Sequence, residues 1–153
     1  MVRLADLHEL GRSNALNLEC PSFEDQPFNQ PASAAERKLA LISTAGLIRR
    51  GDAPFRRNDA GYRVIDESVS NEDIQISHLS INFDRTAAVN NIETIFPRQL
   101  SQQLVSDGRI GALADKHYSV MGATDPLKME TTVAEIIESM KAESVNTAVL
   151  LPV

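Results

Sequence analysis

The chain has 153 residues, 42% of them hydrophobic and 24% charged, which is one domain's worth of ordinary globular composition rather than a disordered segment. Asp and Glu number 21 against 15 Lys and Arg, for a net charge of −6, and so acidic a chain is not expected to bind nucleic acid, where affinity comes from neutralising phosphates. Apolar runs such as Ala148–Val153 fall far short of the ~20 residues of a membrane span, Asp6, His8 and Glu9 occupy the place of a signal peptide's apolar stretch, and the one cysteine cannot close an internal disulfide; no membrane partner is expected, and the default location is cytoplasmic.

In chain order, residues 1–37 read as an irregular lead-in broken by Pro21, Pro27 and Pro31. Leu4, Leu7 and Leu10 allow a short first helix. Ser33 and Glu36 fit a capping box, but the apolar run starts too soon for more than one turn. Residues 38–153 form the body. Leu39–Ile42, followed by Ser43-Thr44-Ala45-Gly46, reads as a buried first strand. Residues 49–73 are loop-like, with a brief extended piece at Tyr62, Val64 and Ile65. Ile74 and Ile76 alternate as in a strand, whereas Leu79, Ile81 and Phe83 follow in the opposite phase, so a bulge or strand end is expected near Ser77 and His78.

Pro97, Leu100, Leu104 and Val105 predict a helix that stops at Gly108. Residues 111–125, with Gly111 and Gly122, read as a connector. Asp125-Pro126 opens the clearest helix, with Val133, Ile136, Ile137 and Met140 at i, i+3, i+4 and i+7. Val145–Val153 is a second buried-strand candidate. Helices between apolar strands predict an α/β fold, an open and mostly parallel sheet with flanking helices. A buried parallel strand normally leads into a covering helix. Here the sequence stops on the strand, so the body is expected to be the N-terminal half of a larger α/β domain, incomplete at its C-terminus. The alternative is an edge strand at a true terminus.

The chemistry-bearing residues are sparse. Cys20, between Glu19 and Pro21, has neither an electropositive setting nor a partner base and reads as inert. His8, His78 and His117 lack metal-site spacing, so no metal is expected. His78 stands where the strand pattern breaks, and strand ends are where α/β sheets bind ligands; the plainer reading is a histidine satisfied by backbone. Ser43–Gly46 has the strand-to-glycine form that presents N–H groups to an anion, with Arg49 and Arg50 to add charge; the plainer reading is a solvated loop. Asp84 beside Arg85 reads as a surface pair. The residues alone give an acidic α/β unit without a complete catalytic constellation. They leave open a small-molecule enzyme using His78 and Asp84, or a non-catalytic binding or subunit-interaction module.

Several segments occur in the order of a known family. They are Ile42–Leu47, Gly51–Arg56, Ile76–Arg85, Phe96-Pro97, Gly108–Gly111, His117–Pro126 and Ala148–Val153. The chain from about residue 38 onward resembles the selenoprotein B family of glycine, sarcosine, betaine and D-proline reductases, and is most similar to the D-proline-reductase-like branch. The resemblance implies reductive cleavage of an amino-acid-like small molecule by a selenolate or thiolate, with a second cysteine resolving the product, and it implies partner subunits. The nucleophile is expected immediately after Val153. No catalytic residue is therefore expected in this chain, which should be inactive as given, and no cofactor is expected beyond that selenocysteine or redox cysteine. Thr44, Gly46, His78, Tyr118 and Gly122 are the substrate-binding candidates. Their placement near the nucleophile is inferred from the strand ends, not from the family.

Overall fold

Leu39 and Leu41 are buried on one side of the first strand, and Ala40 and Ile42 pack on the other. A strand covered on both faces reads as an unbroken apolar run, and this one forms the spine of the fold. The computed structural model describes residues 3–17, 22, 24, 29–81 and 83–153. Chain order is α1 (Glu9–Leu16), β1 (Lys38–Ser43), β2 (Leu47–Arg49), β3 (Tyr62–Asp66), β4 (Ile74–Ile76), α2 (Thr86–Asn90), α3 (Arg98–Ser106), β5 (Ala112–Leu113), β6 (Lys116–Val120), α4 (Glu130–Ala142) and β7 (Thr147–Leu151).

The main sheet is mostly parallel. β1 pairs in parallel with β7 along one edge, Leu39 opposite Thr147 through Ser43 opposite Leu151. Its other edge takes β5 at the start and β6 at the end, both parallel. β3 closes that side, antiparallel to β6. β2 and β4 form a separate antiparallel pair, which ends at Ile76 opposite Leu47. The strand end expected near Ser77 is therefore present. The expected α/β class, with a mostly parallel sheet and flanking helices, is the one observed.

One face of the sheet packs Leu39, Leu41, Leu47 and Ile65 against Ile95 and Phe96. The other packs Ala40, Tyr118 and Val120 against Met129 and Ile136 under α4. The Tyr118 hydroxyl donates to Ser139 Oγ at 2.7 Å, and Thr132 Oγ1 donates to the Ala60 carbonyl. These bonds seat α4 over the β3–β6 side. Its opposite flank, with Val133 and Ile137, stays exposed.

Four expectations are corrected. Residues 111–125 are not a connector but hold β5 and the central strand β6. Its polar residues His117 and Ser119 hid it; both are fully buried and bonded within the fold. Leu79, Ile81 and Phe83 form no strand, and Ile81 is 95% exposed on a loop. β7 is not buried on both faces: as an edge strand it leaves Leu150 69% exposed. Of the four apolar positions on α4, Ile136 alone is fully buried. α2 and β2, too short for a periodic signal, were not expected at all.

Candidate functional site at the carboxyl rim of the sheet

β1, β6 and β7 run parallel, so their carboxyl ends share one rim. Thr44 follows β1 there and ties the three ends together. Its N–H donates to the Leu151 carbonyl at 3.1 Å, and its carbonyl accepts the Gly122 N–H at 2.9 Å. Its Oγ1 accepts the Val153 N–H at 3.0 Å. A Cβ on Gly122 would lie 2.8 Å from the Thr44 oxygen, so only glycine permits this approach. Gly46, with φ +62°, sits against the His78 backbone, where a Cβ would meet His78 Cα at 3.2 Å. The rim thus gathers Thr44, Gly46, His78 and Gly122, with Val153 held on Thr44. Tyr118 is not among them, because the alternation of β6 turns it under α4, on the side chain of Ser139.

His78 is the unusual member. Its Nδ1 accepts the Ser80 N–H at 3.1 Å, which assigns the ring proton to Nε2. Among the described residues that buried Nε2–H has no partner. The ring stands edge-on to Phe83, 5.0 Å between centroids. Arg85 Nη2 donates to the carbonyls of His78 and Ser80 at 2.5 and 3.1 Å, which fixes the loop. Burial, and then the Arg85 charge, hold the imidazole below its ordinary pKa. His78 is therefore neutral near pH 7 and offers one N–H donor; with Nδ1 engaged it is not placed to take up a proton.

The anion cradle that Ser43–Gly46 could have offered does not form, because the amides there are spent. The Thr44 and Gly46 N–H groups go to the Leu151 and Val120 carbonyls. Ala45 N–H goes to Ser43 Oγ, and Leu47 N–H to Ser119 Oγ at 2.6 Å. Arg49 and Arg50 are spent too: Arg49 bridges Asp52 and Asp66, and Arg50 pairs with Asp73. Asp84 and Arg85 do not pair with each other. Asp84 accepts the Thr86 N–H at the start of α2, and the Thr86 side chain and then that N–H hold its carboxyl below the usual range. His8 is exposed at the head of α1, and His117 lies inside the sheet. Among the described residues no three metal-ligating side chains converge. Cys20 lies outside the described residues.

Sequence reasoning missed a second polar cluster on the opposite side of β1. His117 Nδ1 accepts the Leu41 N–H at 3.1 Å, so its Nε2–H donates to Glu67 Oε2 at 2.7 Å. Burial raises the Glu67 pKa, but hydrogen bonds from His117 and Gln102 and the Arg98 charge outweigh it and hold it below the ordinary value. Arg98, 3% exposed, donates to the carbonyls of Asp66, Glu67 and Val69 and to Asn71 Oδ1. No spacing in the sequence links residues 41, 67, 98 and 117. With both His117 nitrogens occupied, this cluster braces β1, β6 and the loop after β3.

The glycine/sarcosine/betaine reductase selenoprotein B family model matches residues 10–152. The chain belongs to that family. A curated relative, the glycine reductase complex component B subunit gamma of Symbiobacterium thermophilum, is 25% identical over 138 residues, 85% of this chain and 32% of that protein. This selenoprotein B family chain thus spans about a third of that relative's length. No solved structure matches it. No helix among the described residues is long and apolar enough to cross a membrane.

Proposed function

We propose that this chain is the N-terminal part of a selenol- or thiol-dependent reductase component of the glycine, sarcosine, betaine or D-proline reductase type, which acts on an amino acid or related small molecule. The observation that carries the reading is the seat of Val153. Its N–H is held by Thr44 Oγ1 at the carboxyl rim, on the residue that also bonds the ends of β6 and β7. A nucleophile following Val153 would emerge where open α/β sheets bind ligands. That the relative is a component of a glycine reductase complex supports partner subunits for this chain as well.

In this reading the selenol or thiol pair supplies the two electrons and two protons taken up by the cleaved bond, closing to a selenenyl sulfide or disulfide. The residues of this chain position and bind. Thr44 and Gly122 fix where the strand end points. The His78 Nε2–H gives a neutral donor to an oxygen of the bound molecule, and Gly46 leaves room for the His78 loop. The 153 residues alone have no turnover. Reading the codon after Val153 tests this: TGA or a cysteine codon, followed in frame by Pro and a nearby Cys codon, is the expected result. Consumption of glycine, sarcosine, betaine or D-proline by the 153-residue chain with a dithiol donor would overturn it.

A second reading, a non-catalytic subunit-interaction module, is favoured by the open edge of β7. There Ala148 and Leu150 are exposed on the sheet face that α4 covers only in part, while Val133 and Ile137 are exposed on α4. An open edge strand is a template for another chain. A monodisperse, cooperatively melting product with no reading frame after Val153 would favour this second reading over the first.

A further inference from the structure

A cleft of about 420 Å³ opens beside the rim. Met121 and Ala123, on either side of Gly122, form one wall. Leu79 and Ile81 form the second, and Arg56 and Arg57 the third. Three observations set it apart from the rest of the surface.

The cations come first. Arg49, Arg50, Arg63, Arg85 and Arg98 all have carboxylate or carbonyl partners. Among the described residues, the guanidinium groups of Arg56 and Arg57 have neither a hydrogen bond nor an ion pair; Arg109 is likewise without one, but only Arg56 and Arg57 line a cleft together. Two unneutralised arginines side by side are unexpected in a chain of net charge −6.

The turn that carries them is built rather than loose. Asp59 N–H donates to the Arg56 carbonyl at 3.1 Å. The Asp59 carboxylate is spent on the Arg56 and Gly61 N–H groups and on Arg63. Burial raises its pKa, but those donors outweigh it and keep the carboxyl below the usual range. Thr124 Oγ1 holds the Asp59 carbonyl at 2.8 Å, and Phe55 N–H donates to Ser77 Oγ at 2.9 Å. Asn58 takes φ +59°, a conformation that asparagine tolerates better than most residues. The backbone beneath both arginines is thus fixed from two sides, and the acid on the turn does not neutralise them.

The third observation is apolar surface facing the charge. Leu79 is 51% and Ile81 95% exposed, on the loop that Arg85 pins. Water satisfies a bare guanidinium but not a bare isoleucine. Unpaired cations against exposed aliphatic side chains fit a ligand with one anionic end and an apolar body.

We propose that this cleft binds a small organic anion, its carboxylate or phosphate held by Arg56 and Arg57 and its body lying on Leu79, Ile81 and Met121. Identifying that anion with the substrate rests on the reductase reading above; the binding itself does not. The test uses the 153-residue chain and follows the methyl resonances of Met121 and Ile81 during titration with butyrate, butyl phosphate, inorganic phosphate and butylamine. Saturable shifts are expected with butyrate or butyl phosphate, at millimolar affinity, and the tighter of the two identifies the anionic group. Inorganic phosphate binds more weakly, and butylamine gives no saturable shift. The double variant R56Q/R57Q weakens binding about tenfold or more with an unchanged melting temperature, and I81S removes the preference for butyl phosphate over inorganic phosphate. Equal binding of butylamine, no saturable shift with either anion, or full affinity in R56Q/R57Q would overturn the proposal. Should the double variant fail to fold, the comparison of butyrate with butylamine on the unaltered chain still decides. None of these results depends on which codon follows Val153, so the two readings fail separately.

Discussion

His117 and His78 are both buried, at 0% and 6% exposure, yet they serve their surroundings in opposite ways. His117 has both nitrogens occupied, by the Leu41 N–H and by Glu67. His78 has one nitrogen bonded and a buried N–H left over. A buried polar group without a partner costs about 1–3 kcal/mol. The fold tolerates that cost at the rim but nowhere along the β1–β6 seam, where Ser43, His117 and Ser119 all have partners. A saturated buried histidine braces strands, whereas an unsaturated one marks where something else can bind.

Substitutions sharpen this contrast. His117→Ala should have the largest effect, about 3–5 kcal/mol, because it strands both the Leu41 N–H and the Glu67 carboxylate. Urea unfolding measures it, and a loss below about 1 kcal/mol would mean that the seam is not what holds the sheet. Gly122→Ala should follow at about 1–3 kcal/mol, since its Cβ would press on Thr44. The same variant should release the Val153 amide, seen as faster hydrogen exchange there.

His78→Phe should change stability by no more than about 1 kcal/mol: it strands the half-buried Ser80 N–H, but it also removes an unpartnered donor and keeps an aromatic ring on Phe83. It should also flatten the acid limb. The folded-state pKa of His78 lies below the ordinary 6.5, so the unfolded chain binds the proton first. Its contribution is then complete above pH 6.5 and is lost as pH falls through the folded value. Glu67 acts lower, its contribution complete above 4.5 and lost below that. Unfolding measured from about pH 2 to 8 should lose the upper phase in H78F and keep the lower. Asp73→Asn, which breaks the exposed pair with Arg50, should shift stability by under about 0.5 kcal/mol.

The elements legible in the sequence were those whose burial is apolar and periodic. β1, β4, α3 and α4 show it directly. β6 does not, because Lys-His-Tyr-Ser-Val resembles a loop until His117 and Ser119 are given their partners 50 to 76 residues away. β7 failed the other way, since Ala148–Leu151 is as apolar as a buried strand but lies on an edge. At the rim, the strand-end argument located Thr44, Gly46, His78 and Gly122, while Tyr118 was misplaced by strand alternation. Arg49, Arg50, Arg56 and Arg57 look alike in one basic loop. Only the acids brought near by folding show that the first pair is neutralised and the second is not.

The position of β1 also sets a timetable. Among the described residues it is the first strand made, yet its parallel partners come late: Lys38 N–H bonds a side chain 108 residues downstream. At about 5–20 residues per second, β1 waits roughly 5–20 s for β7 to be synthesised. Until β5 and β6 are made, which is most of that interval, Leu39-Ala-Leu-Ile42 is an unpaired apolar strand, the kind of segment that associates with other copies of itself. The yield of folded protein should therefore follow the pace of translation across residues 50–145, and slow codons placed there should lower it while leaving the melting temperature unchanged.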